Sequence, residues 1–224
     1  MRRGELGVID TADRQREMNT CRTLALNGYA VMSINYKLSI KDKATWPQSG
    51  LDAKTAVRWL RKNAERLQIN PAKIGALGYS AGGNLASMLA VTQPKDGFEP
   101  PGEGATAISC AADIYGAVDL INYHDMKMFK KTRAEAPELY KKGSPITYLD
   151  KSDPPMLLIH GTADETVPVS QSETFARALK DAGVPHELVI IPGAPHTFDL
   201  EPKQRDLRPV VLGFLDKYLK APAH

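Results

Sequence analysis

The chain has 224 residues, 42% of them hydrophobic and 25% charged, which excludes a disordered or collagen-like chain. Lys and Arg number 29 against 26 Asp and Glu, a formal charge of +3. With the basic residues dispersed, that balance excludes a dedicated nucleic-acid binder, and no apolar run approaches the roughly 18 residues that span a bilayer.

The first residues (MRRGELGVIDTADRQRE) lack the apolar stretch of a secretory signal, so a cytoplasmic location is expected. A helix is predicted over about residues 13 to 27, stopped by Gly28. The apolar run YAVMSINY, residues 29 to 36, predicts the first strand. Ala53, Ala56, Val57, Leu60, Ala64 and Leu67 then follow the spacing of one helical face. KIGALG, residues 73 to 78, predicts the second strand, and AGGNLASMLAV the helix after it. Residues 94 to 104 read as a surface loop, rich in Pro and Gly. Residues 107 to 115 predict the third strand, 155 to 160 (PMLLIH) the fourth and 186 to 191 (HELVII) the fifth. Phe175, Ala178, Leu179 and Ala182 share one helical face. Ser170 and Glu173 suggest a capping box at the start of that helix, and Gly183 stops it. The last helix turns Leu207, Val210, Val211, Phe214, Leu215 and Tyr218 inward, with Pro209 in its first turn.

Near-continuous apolar strands alternating with amphipathic helices predict one α/β domain, a mostly parallel sheet with helices on both faces. Residues 116 to 150 break the alternation. A connection this long predicts a lid over one end of the sheet, with a plain crossover helix as the alternative. Cys21 and Cys110 have neither metal nor redox spacing and read as packing thiols.

Gly78-Tyr79-Ser80-Ala81-Gly82 fits G-x-S-x-G, with an apolar strand before it and a helix after it. On a sharp strand-to-helix turn the serine hydroxyl is exposed. The Ala81 N–H, just past it, can donate to an oxyanion. The competing reading is a Gly-rich turn in which Ser80 is only an N-cap.

Serine needs a base, and the base needs an orienting acid. Asp164 follows the strand PMLLIH, and His196 follows HELVII, so both fall at the same sheet edge as Ser80, in the order Ser, Asp, His. Glu165 is the alternative acid. His160 ends a strand and is expected to make a structural hydrogen bond near the site. His124 lies in the lid segment, His186 begins a strand, and His224 is terminal. Asp113, on the third strand, is expected to be structural. Tyr79, Tyr115, Tyr123, Met126, Met128, Phe129 and Val167 are candidate substrate-binding residues; plain packing of the lid is the alternative for those in it.

With these residues in place, the chain resembles the α/β-hydrolase superfamily. More narrowly, it resembles the esterase and lipase group related to hormone-sensitive lipase and to bacterial feruloyl and acetylxylan esterases. The matching segments include WPQSGLDAKTAVRWLRKNA, NPAKIGALGYSAGGNLASMLA, DPPMLLIHGTADETVPVSQSETFARALKDAGV and VIIPGAPHTF. The resemblance implies a carboxylesterase with the triad Ser80, Asp164 and His196, acting on small to medium acyl esters, acetyl or feruloyl esters of carbohydrates among them. It implies no cofactor. Another acyl hydrolase, such as a peptidase or formamidase, and a non-catalytic binding scaffold are the alternatives.

One feature departs from the relatives, whose strand before the first helix ends in His-Gly-Gly and supplies a second oxyanion donor. No HGG occurs here, and the glycines at 4 and 7 do not replace it. The expectation is a sheet entered after its third strand, with only Ala81 assured as a donor. Its strand at residues 29 to 36 would lack a neighbour, an edge that a homodimer would cover.

Overall fold

A computed structural model describes residues 3–9, 14–38, 43–100, 102 and 104–220; for residues 3–9 and 14–17 only the backbone is described. The strands are β1 (Arg3–Ile9), β2 (Tyr29–Ile34), β3 (Ile69–Tyr79), β4 (Cys110–Ile114), β5 (Met156–Gly161) and β6 (His186–Ile191). The helices are α1 (Arg14–Leu26), α2 (Gln48–Lys62), α3 (Ala64–Leu67), α4 (Ala81–Val91), α5 (Pro137–Lys142), α6 (Ser170–Ala182) and α7 (Arg208–Leu219). All strands run parallel in one sheet, ordered β2-β1-β3-β4-β5-β6.

The alternation of side chains along each strand explains why the strands are apolar throughout. Ile74 and Ala76 of β3 and Met156 and Leu158 of β5 face a layer of α2, α4 and α6, where Val57, Leu89 and Phe175 pack on them. Leu77 and Tyr79 of β3 and Leu157 and Ile159 of β5 face the other layer, where Leu24 of α1 and Phe214 and Leu215 of α7 are buried. Among the described residues, no helix is long and apolar enough to cross a membrane.

Three expectations are corrected. The sheet has a strand that was not predicted, β1, which lies between β2 and β3; Leu6 is in register with Val31 on one side and Gly75 on the other. The strand before the first helix is therefore present, and β2 has a neighbour on its inner edge; among the described residues its outer edge is unpaired. The second correction is at α6, where Val169 is the N-cap and no side chain caps the helix. Backbone bonds alone close its first turn, Gln171 N–H to the Pro168 carbonyl at 2.9 Å and Glu173 N–H to the Val169 carbonyl at 3.2 Å. Thirdly, the loop after α4 is anchored as well as exposed. Phe98 is buried, and Glu99 accepts at 2.6 Å from the fully buried ammonium of Lys54.

Residues 116 to 150 form α5, a 3-10 turn at Pro145–Tyr148 and connecting loops. They are tied to both neighbouring elements. The Asn84 side chain on α4 donates to the carbonyls of Ala117 and Gly143 at 2.7 and 3.3 Å. Gln171 on α6 accepts from the N–H groups of Val118 and Asp119 at 2.9 and 2.8 Å. Neither Cys21 nor Cys110 is in a disulfide, and Cys110 lies in the core.

Candidate active site

Parallel strands bring all their carboxyl ends to one edge, and three loops at that edge carry the reactive groups. β3 ends at Tyr79, and Ser80 stands between it and α4 with φ 54° and ψ −115°. A left-handed φ is costly for a residue with a β-carbon. It is held here by the Ser80 N–H bonded to the Ile114 carbonyl at 2.9 Å and by the Asn84 N–H bonded to the Ser80 carbonyl at 3.1 Å. The turn can be this tight because Gly78 has no β-carbon, which would overlap the carbonyl of Gly82.

His196 lies past β6. Its Nε2 is 3.0 Å from the Ser80 Oγ, and its Nδ1 is 2.6 Å from the Asp164 Oδ2. Asp164 lies past β5 with its side chain wholly buried. Its other oxygen, Oδ1, accepts from the N–H groups of Thr166 and Val167 at 2.9 and 2.8 Å. A carboxylate held this way can only accept, so the imidazole donates from Nδ1. Its Nε2 lone pair is then left for the serine hydroxyl. Glu165, the alternative acid, is exposed.

The other candidates fall in different places. His160 is buried behind the acid; its Nδ1 is 2.7 Å from the Ser172 hydroxyl, and its Nε2 is 2.8 Å from the Val167 carbonyl and 3.3 Å from Asp164 Oδ2. Burial lowers its pKa, so it stays neutral and donates from Nε2. His186 bonds within its own turn. Asp113 is buried beneath the nucleophile turn. It accepts from the Ser87 hydroxyl at 2.6 Å and the Gly116 N–H at 2.8 Å, and burial pushes its pKa up to about 6.

A cavity of about 390 Å³ opens beside Ser80 and Ala81, and Tyr123, His124, Met126, Met128 and Val167 line it. Tyr123 donates to the Thr166 carbonyl, and burial together with the Asp164 charge raises its pKa. Three candidate substrate residues do not line this cavity. Tyr79 is fully buried on the opposite face, 2.6 Å from the Thr20 hydroxyl, because its place on the strand pleat turns it away from α4. Tyr115 donates to the Phe198 carbonyl at 2.6 Å and packs its ring 4.7 Å from that of His196. Phe129 is buried behind the wall, edge-on to Trp46.

Sequence reading missed Trp46, which lines the cavity from the loop before α2, and Asn84 and Leu85, which line it from α4. Leu85 was signalled by the apolar spacing of its helix; Trp46 had no such signal. For the second oxyanion donor, the glycines at 4 and 7 lie inside β1, paired in the sheet. Residues 10–13 lie outside the described residues. Among the described residues, no group of His, Cys, Asp or Glu is placed to hold a metal ion.

Comparison with known proteins agrees with this architecture. The BD-FAE family model matches residues 8–179. Esterase LipQ of Mycobacterium tuberculosis is 36% identical over 185 residues, which make up 77% of this chain and 44% of LipQ. The chain thus spans less than half the length of that relative. A truncated carbohydrate esterase from gut microbiota superposes with a TM-score of 0.83 at 26% identity, covering 96% of this chain and 85% of that one. A thermophilic esterase of Thermogutta terrifontis, solved with propionate bound, also has a TM-score of 0.83 at 26% identity, covering 99% and 86%. The chain folds as an α/β-hydrolase and belongs to the BD-FAE family.

Proposed function

We propose that this chain is a serine carboxylic-ester hydrolase working through an acyl-enzyme. The observation that carries the reading is the unbroken hydrogen-bonded line from Ser80 Oγ through His196 to the buried Asp164, at the mouth of an apolar cavity. The names of the relatives, esterases throughout those compared above, point the same way.

The chemistry follows from the donors and acceptors. Ser80 Oγ attacks the ester carbonyl while His196 Nε2 takes its proton, and Asp164 stabilises the resulting imidazolium without being protonated itself. The oxyanion of the tetrahedral intermediate lies against the Ala81 N–H at the start of α4, where the helix dipole adds to the stabilisation. The imidazolium then gives its proton to the leaving alcohol. Water attacks the acyl-Ser80 by the reverse route, with His196 again as base, and releases the acid. The residues of this site need no metal or organic cofactor for any of these steps.

The substrate class is small to medium acyl esters, with acetyl and feruloyl esters of carbohydrates as the members to test. A panel of p-nitrophenyl esters from acetate to laurate, with ferulate added, tests the reading. The wild type should turn over at least part of the panel, and Ser80→Ala should lose activity by several orders of magnitude. Equal rates for the two proteins would place the nucleophile elsewhere.

A further inference from the structure

The cavity beside Ser80 has a polarity and a direction, and together they assign it to one half of the substrate. Ser80 and Ala81 border it, but His196 is not among the described residues that line it. The departing alcohol must receive its proton from His196 Nε2, so it sits on the imidazole side of the tetrahedral carbon. The acyl substituent extends the other way, past Ala81 and along Leu85 of α4, into the cavity. Resting on the ester-hydrolase reading above, we propose that this cavity is the acyl pocket and that Trp46 is its specificity-determining wall, fitting it to apolar acyl groups longer than acetyl.

The wall is built to be rigid. Trp46 is only 8% exposed. Its indole stacks on Phe98 with centroids 5.0 Å apart and planes 13° apart, and the edge of Phe129 meets it at 6.1 Å. Phe98 can lie there because Gly50 is a glycine; a β-carbon at that position would overlap the phenyl ring. The Thr45 N–H donates to the Met128 carbonyl at 3.0 Å, which ties the Trp46 loop to the facing wall. An aromatic fixed on two sides by other rings cannot swing aside for a longer chain. An acetyl group would leave most of about 390 Å³ of apolar space without an acyl partner. Each further buried methylene is worth about fourfold in binding, so reactivity should climb with chain length until the chain meets the indole.

The test is kcat/KM for p-nitrophenyl esters from acetate to laurate, measured on the wild type, Trp46→Ala and Trp46→Phe. A parallel series holds acetate constant and lengthens the alcohol from ethanol to octanol. In the wild type, kcat/KM should rise from acetate, by up to about fourfold per methylene, to an optimum and then fall. Trp46→Ala should raise the laurate-to-butyrate ratio by at least about tenfold, with Trp46→Phe intermediate, while the alcohol series keeps its shape. If Trp46→Ala does not fold, as read by circular dichroism, the shift in Trp46→Phe decides. An unchanged acyl profile, or a shift confined to the alcohol series, overturns the assignment while the esterase reading stands. A wild type inactive on every ester, with Ser80 unlabelled by a fluorophosphonate, would remove both.

Discussion

Ser80 is the residue on which the site turns, and Asp113 ties the helix that follows it to the loop after β4. That carboxylate holds Ser87 of α4 and Gly116 of the loop after β4 in one buried cluster. Its pKa of about 6 lies above the ordinary 3.8. The folded state therefore binds the proton more tightly than the unfolded chain, and the stability this group contributes is greatest below about pH 4 and lost as pH rises to about 6. Asp113→Asn cannot ionise, so its stability relative to the wild type should improve across that window, by on the order of 2–3 kcal/mol. Urea midpoints at pH 4, 5, 6 and 7 measure this, and a pH-independent difference would contradict it. Asp153, also pushed up to about 6, is common to both proteins and cancels. At the acid, Asp164→Asn should fold normally yet lose about 10⁴-fold in kcat, because an amide nitrogen facing His196 Nδ1 favours the wrong tautomer. A loss of less than tenfold would give the orienting role to another group. The meeting of Ser80, Asp164 and His196 was legible in the sequence because each sits one loop past an apolar strand. Tyr79 turns away from the cavity because it shares a face of β3 with Leu77, and that face belongs to α1 and α7.

At the level of elements, the acid loop and the base loop are joined. The Ala163 N–H donates to the Ala194 carbonyl at 3.0 Å, and that carbonyl comes so close to Gly161 that a β-carbon there would overlap it. Gly161→Ala should push the two loops apart and lengthen the Asp164–His196 bond. The expected result is kcat/KM reduced at least about tenfold together with a lower Tm, since overpacking costs roughly 1–3 kcal/mol. Unchanged kinetics would show that the loops are positioned independently. The five strands of continuous apolar character were legible to within a few residues. β1 was not, because Arg3, Gly4, Glu5 and Gly7 break both the apolar run and its alternation, and its place in the sheet comes from tertiary pairing on both sides. Trp46 lies on a connecting loop without periodicity, so its place in the cavity wall depends on packing against Phe98 and Phe129, far apart in sequence.

Across the whole molecule, the parallel sheet does the gathering. Residues 80, 164 and 196 come together because β3, β5 and β6 all point their carboxyl ends the same way. Tyr123, Met126 and Met128, from the segment after β4, line the cavity beside Ser80. We propose that this assembly makes Ser80 a nucleophile. Reacting the folded protein with a fluorophosphonate and mapping the adduct by peptide mass spectrometry decides it. Stoichiometric label is expected on Ser80, none in Ser80→Ala, and labelling slowed by orders of magnitude in His196→Ala. An unlabelled wild type, or an adduct on any residue other than Ser80, would contradict it.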